Sequence, residues 1–349
     1  MKNQFRKINK LSDSYYKIAF LFIAIQLTTV LTSAQTKDSP ETQTYEINVT
    51  GVEYGTRGLF NGKKIDPSHL APSAGQTQFQ FSILSEELKY NSSNLKHPAY
   101  LGFGGSLIEV ATGFDSGIFV GGQLGYIKSK YTLFGWSGRM EGAFDPQLFL
   151  GFRQTIGSNL LLYRLDYRIY NGVNKFVSNS NSSYSNVNFG GNIIEPSIDL
   201  RHQLNSDFEF GGRLAVLFFG KSKSQNIFKD DPTSSTTSED KTESAYSFDV
   251  FAKYKMTTTM DLVPSIGISR GGNTKSKVTD SYGIITEFEI KDQAKLDTIA
   301  LAMPIKINEA LSVNPQISKT ILKYISDEST GDTTTFQITT ANVSINYGF

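Results

Sequence analysis

The 349-residue chain contains no cysteine, which excludes disulfide staples, thiolate metal centres and cysteine nucleophiles, and suits an exported protein that must avoid stray disulfides. Histidine is nearly as scarce: His69, His97 and His202 are the only three. They are scattered between an irregular N-terminal stretch, a residue before a proline and a turn, so they do not make the His-centred constellation that an envelope lipase or protease needs. The net charge is +1 with no strongly basic block, which removes the electrostatic footprint of a nucleic-acid binder. Helical periodicity is almost missing, with Ser85 to Tyr90 the one short candidate. The mean hydropathy is negative, which argues against a helical membrane protein. It leaves open a barrel of membrane-crossing strands, whose apolar and polar positions average out.

Recognisable catalytic motifs are missing too. The run GWSGR at Gly135 to Arg139 lacks the second glycine's spacing and the following helix of a nucleophile elbow. GFGGS at Gly102 to Ser106 has no helix to receive a phosphate, so close packing or a bulge explains it better. No metal-ligand spacing occurs. The chain is therefore read as a non-enzyme without cofactor or metal.

What is present begins with a leader. Lys2, Arg6, Lys7, Lys10 and Lys17 precede an apolar run from Ile18 to Val30, followed by the small residues Thr32, Ser33 and Ala34. The run falls short of the roughly 20 residues that a spanning helix requires. Residues 1–34 read as a cleaved signal peptide, 35–75 as an N-terminal segment that is either periplasmic or folded into a lumen, and 76–349 as the main domain.

That domain repeats one theme. In LLYRLDYRIY, Tyr163, Leu165, Tyr167 and Ile169 alternate with Arg164, Asp166 and Arg168, so an extended chain puts hydrocarbon on one face and charge on the other. Phe144, Leu148, Leu150 and Phe152 oppose Asp145, Gln147 and Arg153. Ile194, Pro196, Ile198 and Leu200 oppose Glu195, Asp199 and Arg201; Phe208, Phe210, Leu214, Val216 and Phe218 oppose Glu209 and Arg213. Tyr246, Phe248, Val250 and Tyr254 oppose Asp249, Lys253 and Lys255, and Leu262, Ile266 and Ile268 oppose Asp261. Pro196, Pro264 and Pro304 remove ladder donors and mark strand ends or bulges.

Connections alternate in length. Short turns fall near 112–116, 156–159, 203–207, 257–259 and 308–310; long polar stretches fall at 171–186, 221–243, 271–292 and 326–333. A soluble all-β domain has no reason to sort its loops so strictly, whereas an outer-membrane barrel has short periplasmic turns and long outer loops. The stretch 221–243, with DDPTSSTTSED at its centre, reads as a low-complexity exposed loop.

The chain ends in VSINYGF, with Val343, Ile345, Tyr347 and Phe349 on one face. This resembles the closing strand of bacterial outer-membrane β-barrels, which commonly end in Phe with an apolar residue at each second position before it. The resemblance implies an all-β, antiparallel up-and-down transmembrane barrel in the outer membrane. It also implies that these four residues are the signal read by the barrel-assembly machinery. Counting back from the last strand predicts about twelve strands, with fourteen as the alternative, and both chain ends in the periplasm.

Such a barrel turns its apolar face to lipid and its charges inward. The inward set would be Arg153, Arg164, Arg168, Arg201, Arg213, Lys253 and Lys255 against Asp145, Asp166, Glu195, Asp199, Glu209, Asp249 and Asp261, seven of each sign. Balance suggests pairing across strands, without the single-sign ring that strong ion selectivity needs. On this reading Tyr167→Lys harms insertion far more than Arg164→Gln. Two functions remain open: a porin-like passive channel for small polar solutes, and a non-conducting structural barrel whose outer loops bind external partners. A third, an autotransporter translocator, would follow a larger passenger than the N-terminal segment supplies.

Overall fold

The computed structural model describes residues 70–90, 100–133, 136–178, 184–228, 235–271, 274–290, 295–325 and 333–348. The expected leader, His69, His97 and Phe349 lie outside the described residues. Seventeen strands form one sheet: β1 (Thr77–Tyr90), β2 (Tyr100–Gly113), β3 (Ile118–Leu133), β4 (Trp136–Ile156), β5 (Asn159–Ser178), β6 (Tyr184–Gln203), β7 (Phe208–Phe219), β8 (Ser222–Phe228), β9 (Ser235–Thr242), β10 (Ala245–Lys255), β11 (Asp261–Arg270), β12 (Thr274–Thr279), β13 (Ile285–Ile290), β14 (Lys295–Ala302), β15 (Ile305–Lys306), β16 (Leu311–Ile325) and β17 (Thr333–Gly348). Antiparallel ladders run β1 to β7 in order, then through β10, β11, β14, β16 and β17. Phe79 against Tyr347 and Phe81 against Ile345 return the circuit to β1 and close a twelve-strand barrel.

The long polar stretches are not loops throughout. Residues 222–228 and 235–242 are β8 and β9, and 274–279 and 285–290 are β12 and β13. They prolong the barrel wall at one end, β8 on β6 and β9, β12 on β9 and β13. The tip of the DDPTSSTTSED run lies outside the described residues, but Ser235–Thr242 from its end is strand. Ser85 to Tyr90 is strand as well, paired on one side with β17 and, through Leu88 and Lys89, with β2 on the other. Ladder hydrogen bonds on two flanks outweigh a weak local helix preference.

Alternation is visible as exposure. Ile118, Val120, Leu148, Leu150, Leu165, Ile198, Leu214, Ile266, Ile299 and Val343 are all exposed on the outer face. So continuous an apolar surface is untenable in water and natural in hydrocarbon. Aromatic side chains edge it: Phe152, Tyr163, Phe210, Tyr254 and Tyr347 toward the turn end, Phe218 and Tyr246 toward the other. Phe152 and Tyr163 lie with ring centroids 6.4 Å apart.

The prolines interrupt ladders on one side. Pro196 sits at a gap in the β6–β7 register between Ile194 and Ser197, and Pro264 at a gap in β10–β11 between Phe251 and Tyr254. Pro304 separates β14 from β15, where its carbonyl accepts from Asp261 N and Met303 N donates to the Pro315 carbonyl.

At one level the alternation changes phase. Leu217 and Ala245 are inward on odd numbers, whereas Ser222, Ser224, Asp240 and Thr242 just beyond are inward on even ones; Ser269 and Ser276 repeat the change. Three neighbouring strand pairs thus change phase at one level, at 220–221, at 243–244 and between Ser269 and Ser276, as strands do across bulges. Gly220 lies close there: its N–H donates to the Asn192 carbonyl at 3.0 Å, and an added Cβ would displace the Asn192 side-chain amide.

Near the turn end the interior is apolar. Leu70 and Ala71, ahead of β1, are buried with Ala111, Phe119, Phe149 and Leu162. The two rings meet edge to face at 6.4 Å and each lies over a glycine of the neighbouring strand. A Cβ on Gly151 would sit 2.0 Å from the Phe119 ring, and one on Gly121 2.2 Å from Phe149. Gly151→Val is therefore expected to lower stability by about 1–3 kcal/mol through overpacking. Urea unfolding from lipid vesicles measures this, and adding Phe119→Ala should recover part of the loss.

Candidate functional site

The site is the inner wall of the barrel, and its circumference has two chemically distinct sectors. Strands β2 to β7 and β10 carry the charges. Arg164, on β5, reaches Asp166 Oδ1 at 2.7 Å and Glu109 Oε1 at 3.3 Å, and its guanidinium carbon stands 3.7 Å over the Phe149 ring. Gln147 Nε2 donates to the same Asp166 oxygen. Arg213, on β7, reaches Glu195 Oε1 at 3.3 Å and Asp199 Oδ1 at 3.6 Å, and donates to Ser197 Oγ at 2.9 Å. These groups are withdrawn from water: Glu109 is 1% exposed and Arg213 4%. Ions so buried persist only with partners at hand, which Arg164 finds on its own strand and on β2, beyond β4 and β3, and Arg213 on the adjacent β6.

The remaining charged positions lie around these two nodes. Arg168 is buried above Arg164, and Asp249 stands in register with Arg213. Arg201 and Glu209 are half-buried toward the turn end, where Lys253 pairs with Asp261 at 3.2 Å and Lys255 is exposed. Arg153 does not join a carboxylate; its Nη1 donates to the Ala71 carbonyl at 2.9 Å, tying the strand to the segment before β1. The side chain of Asp145 lies outside the described residues. His202 Nδ1 donates to Asn159 Oδ1 at 2.8 Å and the ring packs at 5.1 Å from Phe210, a structural role at a turn.

The second sector, β14, β16, β17 and β1, is neutral among the described inward side chains. Thr298, Asn314, Gln316, Ser318, Thr340, Asn342, Ser344, Gln80 and Ser82 point inward and are buried. Short hydroxyl pairs cross the strands, Ser82 with Ser344 at 3.0 Å and Thr298 with Thr320 at 2.9 Å. Ser82, Asn314 and Ser344 are 0% exposed, so the interior at this level is filled. A large hollow, about 650 Å³, lies instead on the outer wall between Leu150, Phe152, Tyr163, Leu165, Ile198 and Leu214, where lipid chains would cover it.

Glu109 is the inward charge that alternation did not single out. Its strand neighbours on the same face are Leu107 and Ala111, so both faces of LIEVA read as apolar. The spacing from Leu107 through Glu109 to Ala111 was the available signal.

The fold is that of bacterial outer-membrane β-barrels. The crystal structure of the toluene transporter TodX of Pseudomonas putida matches with a TM-score of 0.50 at 10% identity, over 83% of this chain and 93% of that one. The translocator domain of the autotransporter NalP of Neisseria meningitidis matches with a TM-score of 0.50 at 11% identity, over 84% and 95%. No family model matches the chain, and no curated protein matches it by sequence. Transporter and translocator barrels are thus among its structural neighbours, and the apolar outer band is its contact with outer-membrane lipid.

Proposed function

We propose that this barrel is a narrow, porin-like channel for small polar solutes, with both chain ends in the periplasm and a mixed-charge lumen closed at its periplasmic end. The observation that carries this reading is the polar inner wall of a twelve-strand barrel. Eight-strand barrels have side-chain-filled interiors and 16- to 18-strand ones enclose open channels, so twelve leaves a cross-section that a few displaced side chains can open. Both strand termini, Thr77 and Gly348, lie at the short-turn end, which supports the periplasmic orientation. Closure is supported by Leu70 and Ala71, seated on Phe119, Phe149 and Leu162 and fastened by Arg153. Balanced charge makes strong ion selectivity unnecessary to the reading.

Planar-bilayer recording tests it. Wild-type protein should give infrequent, small ohmic steps, and Arg153→Ala should raise their frequency severalfold by freeing the Ala71 carbonyl. One observation favours a second reading, a non-conducting barrel that supports outer-loop interactions: the complete burial of Ser82, Asn314 and Ser344. Absence of conductance in both wild type and Arg153→Ala, from folded and heat-modifiable protein, would establish that reading instead.

A further inference from the structure

Beyond the phase change, the outer face turns from apolar to lysine-rich. Lys221 and Lys223 lead into and along β8, Lys241 lies on β9, and Lys275 and Lys277 on β12; all are exposed, and all but Lys223 line one concavity of about 390 Å³ together with Glu239 and Glu287. Its charges form two rows. In the upper row Lys223 pairs with Glu239 at 2.7 Å, and Lys277, which faces Glu239 in the β9–β12 ladder, pairs with Glu287 at 3.7 Å. That row neutralises itself. In the lower row Lys241 stands directly opposite Lys275 in the ladder. On its other flank Lys275 is in register with Glu289 of β13, Lys241 has no carboxylate within ion-pair distance among the described residues, and Lys221 reaches the upper row's Glu239 only at 4.0 Å, so three lysines stand against one carboxylate in this row.

Like charges directly opposed on antiparallel strands destabilise the pair. A row of ammonium groups about 4.8 Å apart, the spacing of neighbouring strands, is instead matched by one multiply charged anion offering several oxygens. The row also has a fixed place relative to the hydrocarbon. It lies just beyond the exposed Phe218, Tyr246 and Ile268 of β7, β10 and β11, the strands next to β8, β9 and β12 along the chain, and Lys221 is three residues past Phe218. We propose that this lysine row binds the phosphomonoester headgroup of a membrane lipid in the leaflet facing the long-loop end, its acyl chains lying along the apolar wall below.

The test uses the intact refolded chain in detergent, read by native mass spectrometry, with three probes: a diacyl phosphatidic acid, the diacylglycerol of the same chains, and inorganic phosphate. Phosphatidic acid should remain bound, and diacylglycerol should not. Inorganic phosphate in excess should not displace it, because the chains share in the binding. Replacing two lysines near an anionic headgroup, in Lys241→Gln/Lys275→Gln, should weaken retention on the order of 30-fold. Lys223→Gln, whose charge is already matched by Glu239, should do much less. Lipid-free Lys241→Gln should melt no lower than wild type, since it removes the like charge opposed to Lys275, and this keeps the binding result readable. Equal retention by the double variant, equal binding of diacylglycerol, or displacement by phosphate alone would overturn the proposal.

Discussion

Leu165→Lys is expected to cost about 2–4 kcal/mol of folding free energy in lipid, the price of a cation near the bilayer midplane. Leu165 is exposed on β5, midway along the outward series Tyr163, Leu165, Tyr167 and Ile169. Tyr167→Lys should cost less, because Tyr167 lies nearer the long-loop end and a lysine there can reach its ammonium toward the interface. Asn192 Nδ2 already donates to the Tyr167 hydroxyl at 3.3 Å, so polar groups are within reach at that height. Urea unfolding in vesicles and the gel shift on heating measure both variants. Wild-type stability for Leu165→Lys would mean that this face does not meet hydrocarbon.

A second large effect comes from the opposite face. Arg213→Gln should destabilise the barrel by about 3–5 kcal/mol, since it strands Glu195 and Asp199 as buried carboxylates with their shared cation gone. Adding Glu195→Gln should recover part of that loss, and the same unfolding assay reads the cycle. Arg164→Gln belongs with it. From alternation alone this substitution looks mild, an inward polar exchange in a wet lumen. The structure revises that expectation, because Arg164 is clasped by Glu109 and Asp166 and stacked on Phe149, with its side chain 8% exposed. Inward and outward substitutions are therefore both costly, one through lost pairing and the other through lipid. Full additivity in the Arg213→Gln/Glu195→Gln pair would remove the coupling argued here.

These two faces were legible before any coordinates because a sheet repeats every two residues and lipid punishes a misplaced charge on every turn of that repeat. Tyr163, Leu165 and Ile169 or Phe210, Leu214 and Phe218 announce their strand without help. Strand number followed from the same period. What escaped notice has a common cause, the absence of an apolar partner in the pattern. Ser235–Thr242 contains no apolar residue, so nothing distinguishes it from a solvated loop until β8 and β12 supply its hydrogen bonds. Glu109 was concealed for the converse reason, being set among apolar neighbours on its own face. The edge-to-face pair Phe119 and Phe149 depends on which glycines stand across the ladder, and cross-strand register is long-range information. The two-sector division of the inner wall arises in the same way, since it joins strands from both ends of the chain.

The shared change of side-chain phase at 220–221, at 243–244 and between Ser269 and Ser276 has a mechanical and evolutionary side. A strand whose facing is re-established at a bulge does not transmit a slip from above to below. Residues can be gained or lost between 222 and 242, or between 274 and 290, without rotating the membrane-embedded stretches beneath. The outermost rim is thereby an interchangeable crown on a fixed stem, free to change what it presents to the outside while the part held in lipid keeps its registry.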